Sequence, residues 1–238
     1  MILGVIPARF GSSRFPGKPL VDIRGKSMIR RVYEQCCKAS ALSLVVVATD
    51  DDRIFDHVRA FGGEVVMTGK QHLSGTERMA EVAQKYADFS HFINIQGDEP
   101  FIDPGQVNQV GELLLGESTP DIVTLARPVL EKEALSNPNL VKVVMDNSGN
   151  ALYFSRSVIP FPRHPQAETM WYKHIGIYGF ARPVLLKVPA MPPSPLEVCE
   201  SLEQLRWLAN GYKIRVGLTD KEALSVDTPE DLSEISDL

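Results

Sequence analysis

Short apolar segments alternate with helical patterns through the first half of the chain, and this alternation restricts the fold more than any other feature. The apolar segments, each bounded by turn residues, are Ile2–Ile6, Leu44–Ala48, Glu64–Met67, Phe92–Ile95 and Ile122–Ala126. The helical patterns between them are Met28–Lys38, Arg53–Phe61, Gly75–Tyr86 and Pro104–Leu115. Strands that alternate with helices of this length form βαβ units. The sequence therefore predicts an α/β fold with a mostly parallel sheet flanked by helices.

The second half of the chain has a different pattern. A hairpin is predicted from two strands, Val141–Met145 and Ala151–Phe154, around a polar turn. A further strand is predicted at His174–Phe180, between two proline-rich stretches, and an amphipathic helix at Leu196–Ala209. We therefore expect three parts: an α/β core at 1–127, an inserted lobe at 128–195 and a closing C-terminal segment at 196–238.

Composition and charge narrow the class of protein. Hydrophobic residues make up 44% of the 238 residues and the formal net charge is -5, which argues against a nucleic-acid binder because such proteins carry basic patches. The three cysteines have no disulfide or zinc-site spacing. The first residues lack the features of a signal peptide, and no stretch approaches the ~20 apolar residues that a membrane helix needs. We expect a soluble, cytoplasmic protein with no nucleic-acid or membrane partner.

The segment that follows the first strand is basic and rich in glycine. It combines three cations with two glycines and two serines, namely Arg9, Gly11, Ser12, Ser13, Arg14, Gly17 and Lys18. Glycines let backbone N–H groups approach a phosphate, and cations neutralise it. The loop has neither the spacing of a P-loop nor the GxGxxG of a dinucleotide-binding site. Its composition and position predict a phosphate-binding loop, and a solvated basic turn is the alternative.

This loop belongs to a series of motifs that spans nearly the whole chain. The motifs are IPARFGSSRFPGKPL from residue 6, SGTER from 74, NIQGDEP from 94, ALYFSR from 151, HIGIYG from 174, SPLE from 194, LEQLRW from 202 and VDTPEDL from 226. In this order they resemble the 3-deoxy-manno-octulosonate cytidylyltransferases, or CMP-Kdo synthetases. The resemblance implies a Rossmann-like fold of the nucleotide-diphospho-sugar transferase type. It also implies that CTP and 3-deoxy-D-manno-octulosonate (Kdo) are converted to CMP-Kdo and pyrophosphate for lipopolysaccharide biosynthesis.

The resemblance assigns two carboxylates and several cations to the nucleotide. Asp98 and Asp227 are implied as ligands of Mg²⁺, a cation that prefers carboxylate and phosphate oxygens. Lys18, Asp98 and Asp227 are implied as the catalytic set, and the nucleotide-binding residues are Arg9, Ser12, Ser13, Arg14 and Lys18. Local sequence alone also permits simpler roles: a turn carboxylate for Asp98, and a helix-capping role for Asp227 before an N-cap at Thr228.

The residues that the resemblance assigns to the acidic sugar are Arg78, Gln96, His174, Tyr178, Glu203 and Gln204. Arg78 offers a planar fork for a carboxylate, and the other residues offer hydrogen bonds to hydroxyl groups. A structural histidine is the alternative for His174. The spacing of Glu197, Glu200 and Glu203 on the predicted helix is typical of a solvated face.

Several alternatives remain open from the sequence. Within the same chemistry they are a CMP-sialic acid synthetase, an enzyme that prefers 8-amino-Kdo, and a transferase that joins UTP or dTTP to a sugar phosphate. Outside it, the alternative is a non-catalytic nucleotide-binding module. The resemblance further implies a homodimer formed through the inserted lobe.

Overall fold

The computed structural model describes residues 1–11, 15–116, 120–130, 132–164, 169–222, 224–226 and 228–236. The strands within these ranges are β1 (Ile2–Ala8), β2 (Asp22–Ile23), β3 (Lys26–Ser27), β4 (Leu44–Thr49), β5 (Val65–Met67), β6 (His91–Asn94), β7 (Ile122–Pro128), β8 (Lys142–Met145), β9 (Ala151–Ser155), β10 (Tyr172–Ala181) and β11 (Ile214–Leu218). The helices are α1 (Met28–Cys36), α2 (Asp52–Ala60), α3 (Gly75–Lys85), α4 (Pro104–Leu115), α5 (Arg182–Leu185), α6 (Pro195–Glu200), α7 (Gln204–Ala209) and α8 (Pro229–Ser236). Short 3-10 helices lie at Lys18–Leu20, Lys132–Ser136 and Val188–Ala190.

The central sheet has the strand order β11-β7-β10-β6-β1-β4-β5, with β8 and β9 joined to the side of β10. Strands β1, β4, β5 and β6 are parallel to their neighbours in this group, and β11 is parallel to β7. Strand β10 runs antiparallel to both β6 and β7. The predicted α/β fold with a mostly parallel sheet is therefore confirmed, as are the predicted hairpin and the predicted strand near residue 174.

Side chains on the two faces of the sheet form two separate cores. Along β1, Leu3 and Val5 lie in one core while Ile2 and Ile6 lie in the other, because successive residues of a strand point to opposite faces. Buried residues of α1, α2 and α4 cover the face of Ile2 and Ile6. Buried residues of α3, α5 and α7, with Trp207 among them, cover the other face. The result is a helix–sheet–helix sandwich with the sheet as its middle layer.

The four helices predicted in the first half of the chain begin within one residue of their predicted starts. The side chains of Ser27, Asp51, Ser74 and Asp103 each accept a hydrogen bond from a backbone N–H of the first turn of α1, α2, α3 and α4, respectively. Such caps satisfy N–H groups that have no partner within the helix. The predicted cap at Thr228 is also confirmed, since its Oγ1 accepts from the N–H of Asp231 at 3.3 Å while Asp231 Oδ2 accepts from the N–H of Thr228 at 2.8 Å.

The single helix predicted at Leu196–Ala209 is wrong. The chain forms α6 and α7 instead, separated by a turn in which Ser201 has a left-handed backbone conformation, with φ 52°. The turn gives the flanking glutamates different partners. Glu200 binds Ser155 Oγ at 2.6 Å and the N–H of Arg156 at 2.9 Å, while Glu203 points to α3. The solvated face that the spacing alone suggests is therefore not formed by Glu200 and Glu203.

Two further features concern the expected organisation of the chain. Strand β10 falls within the range assigned to the inserted lobe, yet it lies inside the central sheet between β6 and β7. The three-part division at 128 and 195 remains a prediction.

All three cysteines are free thiols, as expected, and Cys36 is buried. In the described ranges, no helix combines the length and the apolar character needed to span a lipid bilayer.

Candidate functional site

A cleft opens at the carboxyl ends of β1 and β6. The chain passes from β1 to β4 and β5 on one side, then returns to β6 on the other side of β1. In an open α/β sheet this change of direction leaves a crevice in which ligands bind. The cleft has a volume of about 330 Å³ and is lined by Pro7, Ala8, Arg9, Lys18, Pro19, His72, Leu73, Ser74, Gly75, Thr76, Arg78, Asn94, Gln96, Gly97, Asp98, Tyr178 and Glu203.

Lys18 and Asp98 form an ion pair inside the cleft. Lys18 Nζ donates to Asp98 Oδ2 at 2.8 Å and to the carbonyl oxygen of Val226 at 2.8 Å. The N–H of Val226 donates in turn to the carbonyl oxygen of Asp98 at 2.9 Å. A Cβ on Gly97 would lie 2.8 Å from the carbonyl oxygen of Pro7, so this close approach requires glycine. Lys18 therefore joins three segments that are distant in sequence.

The carboxyl group next to Asp98 has a different environment. The Glu99 side chain is buried, and this burial, with the neighbouring charge of Asp98, raises the pKa of Glu99 to about 7. Asp98 is partly exposed to the cleft, with 27% of its side chain accessible. Of these two adjacent carboxylates, Asp98 is therefore the one that can meet a ligand.

The described parts of the first loop meet at Phe10. Its carbonyl oxygen accepts from the N–H of Gly17 at 2.9 Å, and Gly17 has a φ of 75° that favours glycine. The guanidinium of Arg53 lies 3.3 Å from the centre of the Phe10 ring. Arg9 is exposed at the cleft, where the sequence predicts a nucleotide-binding cation. The predicted nucleotide-binding residues Ser12, Ser13 and Arg14 lie outside the described residues, as does the predicted metal ligand Asp227.

The N-terminus of α3 carries a second group of polar residues. The Glu203 carboxylate accepts hydrogen bonds from Ser74 Oγ at 3.0 Å and from Thr76 Oγ1 at 2.8 Å. Burial raises the pKa of Glu203, and these two hydroxyl donors oppose that shift. The contacts bring Glu203 from the start of α7 into the cleft.

Arg78 lines the cleft, but its guanidinium is already engaged. Nη2 donates to Asp50 Oδ2 at 2.9 Å, and Nη1 donates to Thr68 Oγ1 at 2.5 Å. The Arg78 side chain is 4% exposed. In this structure the planar fork therefore serves a buried ion pair with Asp50, whereas the sequence predicted that it would bind a substrate carboxylate.

The remaining predicted sugar-binding residues divide into two groups. Gln96 and Tyr178 line the cleft, and Gln96 Nε2 donates to the carbonyl oxygen of Gly176 at 2.8 Å. His174 and Gln204 are outside the described lining. His174 Nε2 lies 3.0 Å from Thr124 Oγ1, and its loss of hydration lowers its pKa to about 3, so the ring is neutral near neutral pH. These contacts favour the structural alternative for His174.

The loop between β5 and α3 forms part of the cleft rim and is held by Glu81. Its Oε2 accepts from the N–H of Gly69 at 2.9 Å and contacts His72 Nε2 at 2.6 Å, while Oε1 pairs with Lys85 Nζ at 2.7 Å. Burial alone would raise the pKa of Glu81, but the hydrogen bonds from these three groups outweigh it and lower the pKa to about 2. The loop thus depends on the charged form of Glu81.

The cleft also contains polar residues that the sequence analysis had not assigned to the site. Ser74, Thr76 and Asn94 line it. Each belongs to a motif that carries the family resemblance, and Asn94 is the last residue of β6, two residues before the predicted site residue Gln96. Their position in the motifs could have indicated a role in the site. Strand pairing and helix placement, however, decide whether these side chains face the cleft.

Comparisons with known proteins agree with this arrangement. The family model described as cytidylyltransferase matches residues 3–214. A 3-deoxy-manno-octulosonate cytidylyltransferase from Bacteroides thetaiotaomicron is 51% identical over 239 residues, covering 97% of this chain and 94% of the relative. One from Parabacteroides distasonis is 49% identical over 243 residues, covering 98% and 95%.

A solved structure gives the same result. It is a CMP:2-keto-3-deoxy-manno-octonic acid synthetase in complex with CTP, with a TM-score of 0.95, 42% sequence identity, and coverage of 99% of this chain and 97% of that one. Since both the sequence matches and the structural match extend over almost the full length, they include all the elements that build the cleft. The chain therefore belongs to the cytidylyltransferase family and, within it, to the 3-deoxy-manno-octulosonate cytidylyltransferases.

Proposed function

We propose that the chain transfers CMP from CTP to Kdo, releasing pyrophosphate, and that it supplies the activated sugar for lipopolysaccharide assembly. The observation that carries this proposal is the cleft itself, which combines the Lys18–Asp98 pair and Arg9 with a set of hydrogen-bonding groups for a polyol. The relatives named above carry the same activity in their names, and the structural neighbour was solved with CTP.

The reaction is an in-line displacement. The anomeric C2 hydroxyl of the sugar attacks the α-phosphorus of CTP, a new phosphorus–oxygen bond forms, and the bond to pyrophosphate breaks. No covalent enzyme intermediate is needed, so the protein acts mainly by positioning the two substrates and neutralising charge. Arg9 and Lys18 both line the cleft next to the end of β1, which supports the proposal that they bind the triphosphate.

The residues present fit a magnesium ion. Asp98 provides carboxylate oxygens at the cleft. Val226, the residue before Asp227, donates its N–H to the carbonyl oxygen of Asp98 and accepts a hydrogen bond from Lys18, so it is held beside Asp98. We propose that Asp98 and Asp227 hold the ion together with phosphate oxygens, as is usual for Mg²⁺. When bound, it would neutralise charge on the phosphates during the displacement. Lys18 keeps Asp98 oriented for this role.

On the sugar side, we propose that Glu203, Gln96 and Tyr178 bind hydroxyl groups. Glu203 is fixed by Ser74 and Thr76, and Gln96 by the carbonyl of Gly176, so both enter the cleft already oriented. Groups oriented before binding lose little conformational freedom when the sugar arrives. The proposed roles of His174, Gln204 and Arg78 have less support, since the first two are outside the described lining and the third is paired with Asp50.

The first experiment measures pyrophosphate release with Mg²⁺ and CTP, using Kdo, 8-amino-Kdo and sialic acid in turn. Faster pyrophosphate release with Kdo than with 8-amino-Kdo or sialic acid supports the proposal. Preference for 8-amino-Kdo or sialic acid moves the assignment to one of those sugars. Absence of release with all three, from folded protein, contradicts catalysis and favours a nucleotide-binding module.

A matched pair of variants tests the metal assignment. Asp98→Asn keeps the size of the side chain but removes its charge, and we expect turnover to fall by roughly 1,000-fold or more, because charge neutralisation is a large part of phosphoryl-transfer catalysis. Asp56→Asn removes an exposed carboxylate on α2 and serves as the control. Near-normal turnover in folded Asp98→Asn would remove Asp98 from the mechanism.

We also propose a homodimer in a reducing, cytoplasmic setting. Leu152 on β9 and Leu196 and Val198 on α6 are exposed apolar side chains on two elements that Glu200 links. Exposed apolar groups of this kind mark protein interfaces. Three free thiols suit a reducing compartment. Light scattering on the purified protein tests the dimer, and Val198→Glu should shift it to a monomer while Val21→Glu, outside this surface, should not.

A further inference from the structure

Two buried polar groups of the cleft wall, the Asn94 amide and the Tyr178 hydroxyl, lie side by side. Asn94 is 6% exposed and Tyr178 is 8% exposed. Among the described residues, Asn94 Oδ1 has no hydrogen-bond partner, and the Tyr178 hydroxyl interacts with Thr124 without forming a hydrogen bond of good geometry. Both line the cleft. Burying a polar atom without a partner is costly, and native proteins contain few such atoms.

Strand pairing explains why the two groups are adjacent. Asn94 is directly opposite Tyr178 in the antiparallel ladder between β6 and β10. Residues opposite each other in such a ladder point to the same face, with Cβ atoms about 5 Å apart. The Tyr178 ring packs edge-on against Trp207, with ring centres 5.0 Å apart. Tyr178 is therefore held in place beside Asn94.

Other polar groups of the cleft already have partners within the fold. Arg78 is paired with Asp50, and the Glu203 carboxylate accepts from two hydroxyl groups. Gln96 uses its amide N–H to bind a backbone carbonyl. Asn94 thus differs from its neighbours, because its amide oxygen is enclosed in the cleft wall with its hydrogen-bonding capacity unused by the described residues.

We infer that Asn94 is a further sugar-binding residue, whose Oδ1 accepts a hydrogen bond from a hydroxyl group of the acidic sugar next to one bound by Tyr178. This inference rests on the proposed function. An enclosed oxygen needs a donor, and the phosphates of CTP offer only acceptors near neutral pH, so they do not suit it. The ribose and cytosine of CTP carry donors, and comparing the KM for CTP with the KM for the sugar separates them from the hydroxyl groups of the sugar. The surrounding groups also favour a polyol.

The position of Asn94 relative to α3 supports the same assignment. A Cβ placed on Gly75 would lie 3.4 Å from Asn94 Nδ2, so the amide lies directly below the N-terminus of α3. Ser74 and Thr76, on either side of Gly75, hold Glu203. Asn94 Oδ1, the Tyr178 hydroxyl and the Glu203 carboxylate therefore form one group of acceptors, which suits a ligand with several hydroxyl donors.

The test is Asn94→Leu, which replaces the amide with an apolar group of similar size. We expect the KM for the sugar to rise by roughly 10- to 100-fold, the effect of losing a buried hydrogen bond to substrate. The KM for CTP should stay within about twofold. Because the lost oxygen has no partner among the described residues, the thermal midpoint of the variant should stay the same or rise.

Gln106→Leu is the matched control. Gln106 on α4 is 1% exposed and also has a buried amide oxygen without a partner among the described residues, but it lies outside the cleft lining. This variant should leave the sugar KM unchanged. If Asn94→Leu does not fold, Asn94→Ser is measured in its place and should give the same rise in sugar KM.

The outcomes separate this inference from the proposed function. If the wild-type protein releases no pyrophosphate with any sugar, the proposed function fails. If the wild type is active, an unchanged sugar KM in the folded variant overturns the role of Asn94, as does a rise confined to the KM for CTP. A panel of sugars that each lack one hydroxyl gives a second test: one of them should lose affinity for the wild type but not for Asn94→Leu.

Discussion

Replacing Glu81 by glutamine tests the rim of the cleft through its electrostatics. Glu81 holds the loop before α3 through the N–H of Gly69, His72 and Lys85, and its pKa is lowered from 4.5 to about 2. A carboxyl with this change stabilises the folded state by about 3 kcal/mol when it is ionised in both states. Lys85 is 43% exposed and His72 is 13% exposed, so salt screens the interaction of Glu81 with Lys85 more strongly than its interaction with His72. We therefore expect Glu81→Gln to lower the free energy of unfolding by about 2 kcal/mol near neutral pH.

The effect of this substitution on the free energy of unfolding depends on pH, and its direction follows from the lowered pKa of Glu81. Because the pKa is lower in the folded state, the stabilisation is present above about pH 4.5 and is lost as the pH falls towards about 2. Urea unfolding of wild type and variant, followed by circular dichroism at several pH values, should show the two curves converging in acid. Glu112→Gln, at an exposed position on α4, is the control for loss of a surface charge. A difference that persists unchanged in acid would mean that packing, not charge, holds the loop, and would refute the reasoning.

Three further substitutions test one buried cation of the fold and two residues of the cleft. Lys142→Met removes a fully buried ammonium group whose Nζ donates to the carbonyl oxygens of Asn137, Leu140 and Arg156. We expect the free energy of unfolding, measured in urea, to fall by roughly 3 kcal/mol, and a fall below about 1 kcal/mol would contradict this. Glu203→Gln should raise the sugar KM by about tenfold. The variant should also become more stable relative to wild type as the pH rises above 4.5, since burial raises the folded-state pKa of Glu203; a variant that loses both sugar affinity and free energy of unfolding would mean that the carboxylate is structural. Lys18→Met should lower kcat/KM for CTP by roughly 100-fold, because it removes the cation that we propose binds the phosphates and it releases Asp98 from the ion pair; unchanged kinetics would exclude this role.

The parallel core could be predicted from the sequence because its signals are local. Each apolar segment and each helix start is determined by neighbouring residues, such as the caps at Ser27 and Ser74. The position of β10 could not be predicted in the same way, since its apolar pattern does not specify its partners. It lies antiparallel between β6 and β7, and this pairing places Tyr178 opposite Asn94.

The break between α6 and α7 has a tertiary cause as well. The residues from 196 to 209 satisfy a helical pattern, but Glu200 and Glu203 bind groups on different elements, β9 and α3. One continuous helix would place both side chains on the same face. The contacts from two directions therefore accompany a turn at Ser201, and local periodicity contains no information about them.

The same limit applies to the chemistry of the site. Residue type and motif position predicted that Arg78, Gln96, Tyr178 and Glu203 would lie in the cleft, and all four line it. Residue type cannot show how much hydrogen-bonding capacity remains for a ligand, because the partners come from other parts of the fold. Arg78 is taken by Asp50, 28 residues earlier in the chain. Once such internal partners are assigned, the Asn94 oxygen becomes more informative than the charged arginine, because it is buried with no partner among the described residues and we infer that a substrate supplies one.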